Sequence, residues 1–296
     1  MRILPAVVLL ALVTACGSGP APVTAEEFTD RAREVAGRWQ GSTEREPWIA
    51  GFVPLRNLTL EPDRERTPRW VGRSVINSAW KLETALPAEA PAPAKLRWTD
   101  GGTLSVPVLA ATAAYAGLSK PKSFADEKCP AQGCRPLRVI AVARGEATMP
   151  SSRGEVRVPT WDFTVKGVPE PFRRVAVDPA AMGGPPRPLG DGIQEVHTYE
   201  VRAPAELRLS YLHGICDTTY GSRVHETPEA VVVDVDVRRD DDVEVCPAVG
   251  KIDRIGVILR EPLGRRVVLD SSSGVPLLPH GDIRLAEFQN YDPRRS

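Results

Sequence analysis

The chain has 296 residues, with 38 basic and 38 acidic side chains and a formal net charge of zero. That balance argues against a nucleic-acid or anionic-surface partner held by charge, and the length admits one large domain or two ordinary ones. With 29 Pro, 24 Gly and only 6% aromatic residues, long helices are disfavoured and many short strands joined by turns are favoured.

The first stretch reads as an export signal. Arg2 supplies a positive charge, and Ile3 to Val13 is apolar apart from Pro5. This run is too short to span about 30 Å of hydrocarbon but suits a secretory h-region, which makes residues 1–15 a removable signal peptide. Val13-Thr14-Ala15-Cys16 has the form of a lipobox, in which a small residue precedes the cut and the thiol carries lipid. Acyl chains such as palmitate on Cys16 would fasten the mature protein to a bilayer, since two signals hold where one is marginal. Residues 16–23, rich in Gly, Ser and Pro, then form a tether.

Thr24 is the expected N-cap of an amphipathic helix from Ala25 to Gln40, with Glu27 completing a capping box. Phe28, Ala32, Val35, Ala36 and Trp39 recur at helical spacing, and the helix is expected to pack on the domain that follows it. Residues 48–110 read as short strands and loops, including Arg69-Trp70-Val71, Val75-Ile76 and Trp80-Lys81-Leu82. Asp100-Gly101-Gly102 between Lys95–Trp98 and Leu104–Val106 signals a hairpin. The Ala-rich stretch 108–118 reads as a short helix.

Beyond Cys134 the strand pattern sharpens. Leu137 to Val142 is a strand, and residues 150–154 form a turn. On the returning strand Val156 and Val158 share one face, whereas Trp161, Phe163 and Val165 take odd numbers. That phase change predicts a β-bulge near Pro159-Thr160. Phe172 to Val177 adds a strand. The Pro/Gly-rich residues 179–192 read as a linker, dividing an N-terminal β-rich domain with its leading helix (24–178) from a C-terminal β domain (193–296).

In the second part Leu207, Leu209 and Tyr211 alternate with polar residues, and Val231, Val233, Val235 and Val237 alternate with Asp234, Asp236 and Arg238. The latter pattern predicts a half-buried strand with a solvated acidic face. A turn at 239–242, a strand through Ile255, Val257 and Leu259, another over residues 266–269, and a short tail strand at Ile283–Leu285 complete the reading. The expected fold class is mainly β: two sandwich-like domains behind an amphipathic helix, with some α+β character in the first. A repeat at offsets of 69 or 70, pairing Leu137-Arg138-Val139 with Leu207-Arg208-Leu209 and residues 161–165 with 231–235, would make the two units related hairpins. Chance matching in Arg/Val/Pro-rich sequence is the competing explanation.

Little in the chain carries chemistry. With Cys16 lipidated, Cys129, Cys134, Cys216 and Cys246 make an even set outside the cytosol, which points to disulfides. The sequence-local pairing, 129–134 and 216–246, is expected. A four-Cys zinc site lacks paired knuckles. No G-x-S-x-G, H-E-x-x-H, P-loop or G-x-G-x-x-G is present. His197, His213, His225 and His280 are scattered. His213 with Cys216 and Asp217, or His225 with Glu226, would be the site of a hydrolase, but a disulfide at Cys216 leaves no thiolate. Asp234, Asp236 and Asp240–Asp242 lack calcium-loop spacing. Trp70, Trp80 and Trp98 read as core rather than as a sugar platform. No catalytic residue, metal ligand or cofactor is assigned.

The lipobox ending at Cys16, the stretch Ser151-Ser152-Arg153-Gly154 through Trp161, and Glu261-Pro262-Leu263-Gly264-Arg265-Arg266-Val267-Val268-Leu269-Asp270 resemble the uncharacterised lipoproteins of high-GC Gram-positive bacteria. The resemblance implies a place on the outer face of the cytoplasmic membrane and brings no catalytic residue. The expected function is non-catalytic binding or a structural role in the cell envelope, with an envelope protein or small molecule as partner besides the bilayer. An extracytoplasmic hydrolase is the alternative. A cleft holding His213 or His225 beside an acid and a free nucleophile would favour the enzyme, and an apolar groove would favour binding.

Overall fold

The computed structural model describes residues 23–89, 91–120, 129–184, 188, 196–239, 243 and 245–279. The lipobox with Cys16, His280, the expected turn at Asp240–Asp242 and the tail strand at Ile283–Leu285 lie outside these residues. The fold is mainly β, as composition and turn density led us to expect, with three sheets and few helices.

Helix α1, Ala25–Gln40, begins where its capping signal stands. Thr24 Oγ1 accepts from the Glu27 N–H at 3.2 Å and Glu27 Oε2 accepts from the Thr24 N–H at 2.7 Å. Two of the helix's four orphan N–H groups' worth of demand is thereby met by one residue pair. Phe28, Ala32, Val35 and Trp39 are buried along one face. Their destination differs from expectation. They pack on Ala230, Val232, Val267, Leu269 and Leu278 of the second half, joined by Trp48, Val53 and Leu55. The leading helix therefore docks chiefly on the second half and meets the domain that follows it in sequence only through Trp48, Val53 and Leu55.

The first half is organised by a long hairpin, β5 (Leu137–Ser151) and β6 (Gly154–Val165), within a seven-stranded sheet. β1 (Thr59–Leu60), β7 (Phe172–Val175), β3 (Ala94–Trp98) and β4 (Thr103–Val106) extend it beyond β6, in the order β1-β7-β6-β3-β4. β2 (Trp80–Leu82) pairs parallel to the start of β5. The expected β3–β4 hairpin is present, with Gly101 at φ 84° in its turn, a conformation that favours glycine. The Ala-rich stretch forms α4, Ala111–Ser119.

Two expectations in this half are corrected. Residues 48–110 hold helices as well as strands: α2 (Arg45–Ile49) enters that span, and α3 (Trp70–Ile76) occupies what had read as strand pieces. Val71, Ser74 and Val75 are buried at i, i+3 and i+4, which is one helical face. The predicted bulge near Pro159-Thr160 is also absent. β5 and β6 stay in register from Ala141↔Thr164 to Ser151↔Gly154, and the irregularity falls between Val139 and Ala141. The phase change in β6 instead marks a switch of covered face. Val156 and Val158 join Phe52, Leu96, Trp98 and Met149 in one core, whereas Trp161, Phe163 and Val165 meet α3 and α4 in another.

The second half is a sandwich of two three-stranded sheets, β12-β9-β8 and β10-β11-β13. Its strands are β8 (Val196–Ala203), β9 (Glu206–Gly214), β10 (Asp217–Glu226), β11 (Ala230–Arg239), β12 (Gly250–Ile258) and β13 (Val267–Asp270). Leu207, Leu209 and Tyr211 face Val231, Val233 and Val235 across the core between them. β11 is central in its sheet, antiparallel to β10 and parallel to β13. Its odd residues fill the sandwich and its even residues, Ala230 and Val232, receive α1. The layers thus run sheet, sheet, helix, and β11 is buried on both faces as far as Val235, not half-buried.

The internal repeat fails. Residues 137–139 belong to the hairpin with β6, whereas 207–209 pair with β8 and β12, and β9 and β11 lie in different sheets. The two segments are not the same hairpin.

Candidate functional site

Four cysteines pair as the local reading expected. Cys129–Cys134 and Cys216–Cys246 are disulfides with Cα atoms 4.9 and 6.1 Å apart, which leaves no thiolate set for zinc and no nucleophile at Cys216.

The histidines are not brought together. His213 Nε2 hydrogen-bonds Asp253 Oδ2 at 3.0 Å, and its ring stacks on Tyr211. Its Nδ1 is buried with no hydrogen-bond partner, so no nucleophile is engaged by this ring. His225 lies on β10, where burial and then the charges of Arg33 and Arg260 depress its pKa. Its neighbour Glu226 is committed to Arg266 at 2.7 Å and Arg260 at 3.3 Å. Neither histidine lines the cleft described below.

The acidic strand face is also reassigned. Asp234 is buried, not solvated, on the α1 side of β11. Arg223 Nη2 lies 2.8 Å from its Oδ2 and Arg31 Nη2 of α1 lies at 3.9 Å. The close contact with Arg223 lacks hydrogen-bond alignment, so it acts as a charge pair. Burial pushes the Asp234 carboxyl above its ordinary value against the pull of both arginines. Arg223 also donates to the Val23 carbonyl at 2.6 Å and sits over the Phe28 ring, which ties the start of α1 to the sheet. Asp236 pairs with Arg238. Among the described residues no group of three or more possible ligands could hold a metal ion.

The three tryptophans form no shared platform. Trp98 is buried and donates through Nε1 to Ser151 Oγ at 3.0 Å, while Trp70 and Trp80 pack on a separate core. Ser271 and Ser273, in the turn that follows β13, are buried.

A cleft of about 720 Å³ opens where the two halves meet. One wall comes from Arg45, Trp48 and Ile49 of α2 and from the hairpin turns at Asp100 and Ser152–Gly154, and Trp39 at the end of α1 also lines the cleft. The opposite wall comes from Tyr199 and Val201 of β8, Pro228 and Glu229 before β11, residues 263–267, Leu277 and Pro279. Local bonds fix the first wall: Ser152 Oγ donates to the Trp48 carbonyl at 2.7 Å, and Arg153 donates to the Ala50 carbonyl at 2.9 Å with its guanidinium 4.0 Å over the Trp98 ring. Across the cleft, Arg45 and Glu229 form an ion pair at 2.9 Å. In the second wall, Arg266 donates to the carbonyls of Glu261 and Pro262 at 2.7 and 3.0 Å and to Glu226, holding the turn that carries Gly264.

Trp39 and Asp100 stood out in the sequence only as a helix-face residue and a turn residue, and no pattern joined them to the stretches 151–161 and 261–270, because the cleft is assembled from separate segments between residues 39 and 279. Its volume lies in the range of small-molecule sites, and its walls mix apolar side chains with a few charged groups. Comparison of the chain with protein-family models, with curated proteins and with solved structures finds no match.

Proposed function

We propose that this chain is a lipid-anchored protein of the cell envelope whose folded part binds a ligand in the cleft between its two halves, without catalysis. One observation carries the reading. Two of the stretches on which the resemblance to actinobacterial-type lipoproteins rests, 151–161 and 261–270, come from different halves, and parts of both, Ser152–Gly154 and Leu263–Val267, line one cleft. Two disulfides and the Val-Thr-Ala-Cys16 sequence support an address outside the cytoplasm. The hydrolase alternative loses its support with Cys216 oxidised and His213 committed to Asp253.

Two variants test the two parts of the proposal. Cys16→Ser should release the protein from sedimented membranes, and firm co-sedimentation would refute the anchor. Val201 lines the cleft and is exposed, so Val201→Trp fills it without entering a core. A small-molecule extract of the envelope should raise the melting temperature of the unaltered protein and not that of Val201→Trp. Equal shifts in both would refute the cleft as the binding site.

A further inference from the structure

We infer that the ligand of this cleft carries a phosphate or carboxylate group, and that Arg265 is its principal charge contact. The inference rests on the binding role proposed for the cleft. Arg265 and Arg266 are adjacent and do different things. Arg266 is part-buried and spends its donors on Glu226 and on two carbonyls of its own turn. Arg265 lines the cleft, is exposed, and has no hydrogen bond or ion pair among the described residues. Of the four arginines that line the cleft, it is the one with neither a hydrogen bond nor an ion pair among the described residues.

The surrounding charges favour the same sign of ligand. Four guanidinium groups line the cleft, those of Arg45, Arg153, Arg265 and Arg266; with Arg45 paired to Glu229 and Arg266 to Glu226, Arg153 and Arg265 are left against the single carboxylate of Asp100. Glu229 is paired with Arg45, and Asp100 Oδ1 accepts from the Gly102 N–H at 2.7 Å. Each carboxylate is therefore occupied. In a partly enclosed site between low-dielectric walls, an excess of positive charge attracts anions more strongly than it would on an open surface.

Tyr199 supplies a second donor. It lines the cleft while packing against the sandwich core, and no hydrogen bond from its hydroxyl is seen among the described residues. Burial raises its pKa, so the phenol stays protonated and can donate to an anionic oxygen at neutral pH. A cationic ligand would meet the excess of arginine, and a neutral one would leave Arg265 unanswered. Val201, Leu263 and Leu277 offer apolar wall, so the rest of the ligand need not be polar. A phosphate ester in solution and the phosphate of a lipid headgroup share this chemistry.

The test uses the full chain. Thermal unfolding is followed with inorganic phosphate, with glycerol 3-phosphate and with glycerol as the neutral control. Co-sedimentation is measured on vesicles of phosphatidylglycerol and of phosphatidylcholine, with the Cys16→Ser form so that the anchor does not contribute. Binding of either phosphate probe or of phosphatidylglycerol alone is the expected result, and which of them binds separates a soluble ligand from a headgroup. Arg265→Ser should weaken that binding about tenfold or more, because it removes a charged hydrogen-bond donor, and Tyr199→Phe should weaken it less. Arg254, exposed on β12 and away from the cleft, is the control: Arg254→Ser should change nothing. Unchanged affinity in Arg265→Ser, or equal response to glycerol, overturns the inference. If envelope extract stabilises the protein but no anionic probe binds, the anion fails and the binding role stands. If the extract fails as well, both fall.

Discussion

Asp270 makes the stability of this fold depend on pH with an unusual sign. It closes β13 and is 1% exposed. Its carboxyl accepts from the Ser273 N–H and Oγ, both at 2.7 Å, and from the Val196 N–H at 3.4 Å. Burial, reinforced by the negative charge of Asp234, nevertheless raises its pKa from 3.8 to about 6 against those donors. The folded protein therefore holds this proton more tightly than the unfolded chain. Its contribution is most favourable below the unfolded value of 3.8 and is lost as pH rises through about 6. The gap between the two values corresponds to about 3 kcal/mol, a large part of a typical folding free energy. Asp270→Asn keeps the shape and one acceptor oxygen but cannot titrate. Urea unfolding of both proteins, followed by tryptophan fluorescence at steps from pH 4 to 7.5, measures the difference. The variant should gain on the parent by about 2.5 kcal/mol across that range, whatever the offset at pH 4, because the unfolded carboxyl is already partly ionised at pH 4. Taking the difference cancels His197 and His225, whose pKa values are lowered by burial and whose contributions grow as pH rises toward 6.5. A difference that is flat, or that falls with pH, would refute the reasoning.

Removing the Asp234 carboxylate strands two guanidinium groups at the helix–sheet contact, so Asp234→Ala should cost about 3–5 kcal/mol in denaturant unfolding. Asp236→Ala, which breaks a partly exposed pair with Arg238, should cost less than about 1 kcal/mol. Trp39→Ala should cost about 3–5 kcal/mol and lower the helical circular dichroism signal, since the ring anchors the end of α1. Replacing Cys216 and Cys246 by Ser should destabilise by about 3–4 kcal/mol, against about 2 kcal/mol for the shorter Cys129–Cys134 loop, because the longer loop frees more chain entropy. Equal melting-temperature losses for the two pairs would contradict that account.

What the sequence disclosed was local. The capping box of Thr24 and Glu27 and the Asp100-Gly101 turn lie within a few residues of what they determine, and both formed where the pattern stood. α3 was obscured because Val71, Val75 and Ile76 are strand-forming residues and the segment spans only seven positions, too few for a helical period to stand out. β11 misled for a different reason. Asp234 on an alternating strand looks solvated, yet the arginines that balance it come from α1 and β10, and no local pattern announces them. The apparent repeat failed because similar Arg/Val spacing does not specify a pairing partner: residues 137–139 and 207–209 resemble each other and join different sheets.

The cleft was illegible for the same reason carried further, since its walls come from both halves and from residues 39 to 279. Its construction also bears on how the anchor and the site relate. α1 follows directly on the proposed tether, and Arg223 holds the Val23 carbonyl at the helix start. At the other end Trp39 is both a core residue under β11 and part of the cleft wall. A single helix, docked on the second half, thus spans from the tether to the site. Its docking depends on apolar burial along one face and on the Asp234 charge cluster near its beginning. Loss of that docking would therefore disturb the cleft even though Asp234 touches no part of it. The Asp234→Ala variant should accordingly bind an anionic probe more weakly than Asp236→Ala under conditions where both remain folded. Equal affinity in the two variants would mean that the cleft holds its shape independently of the helix.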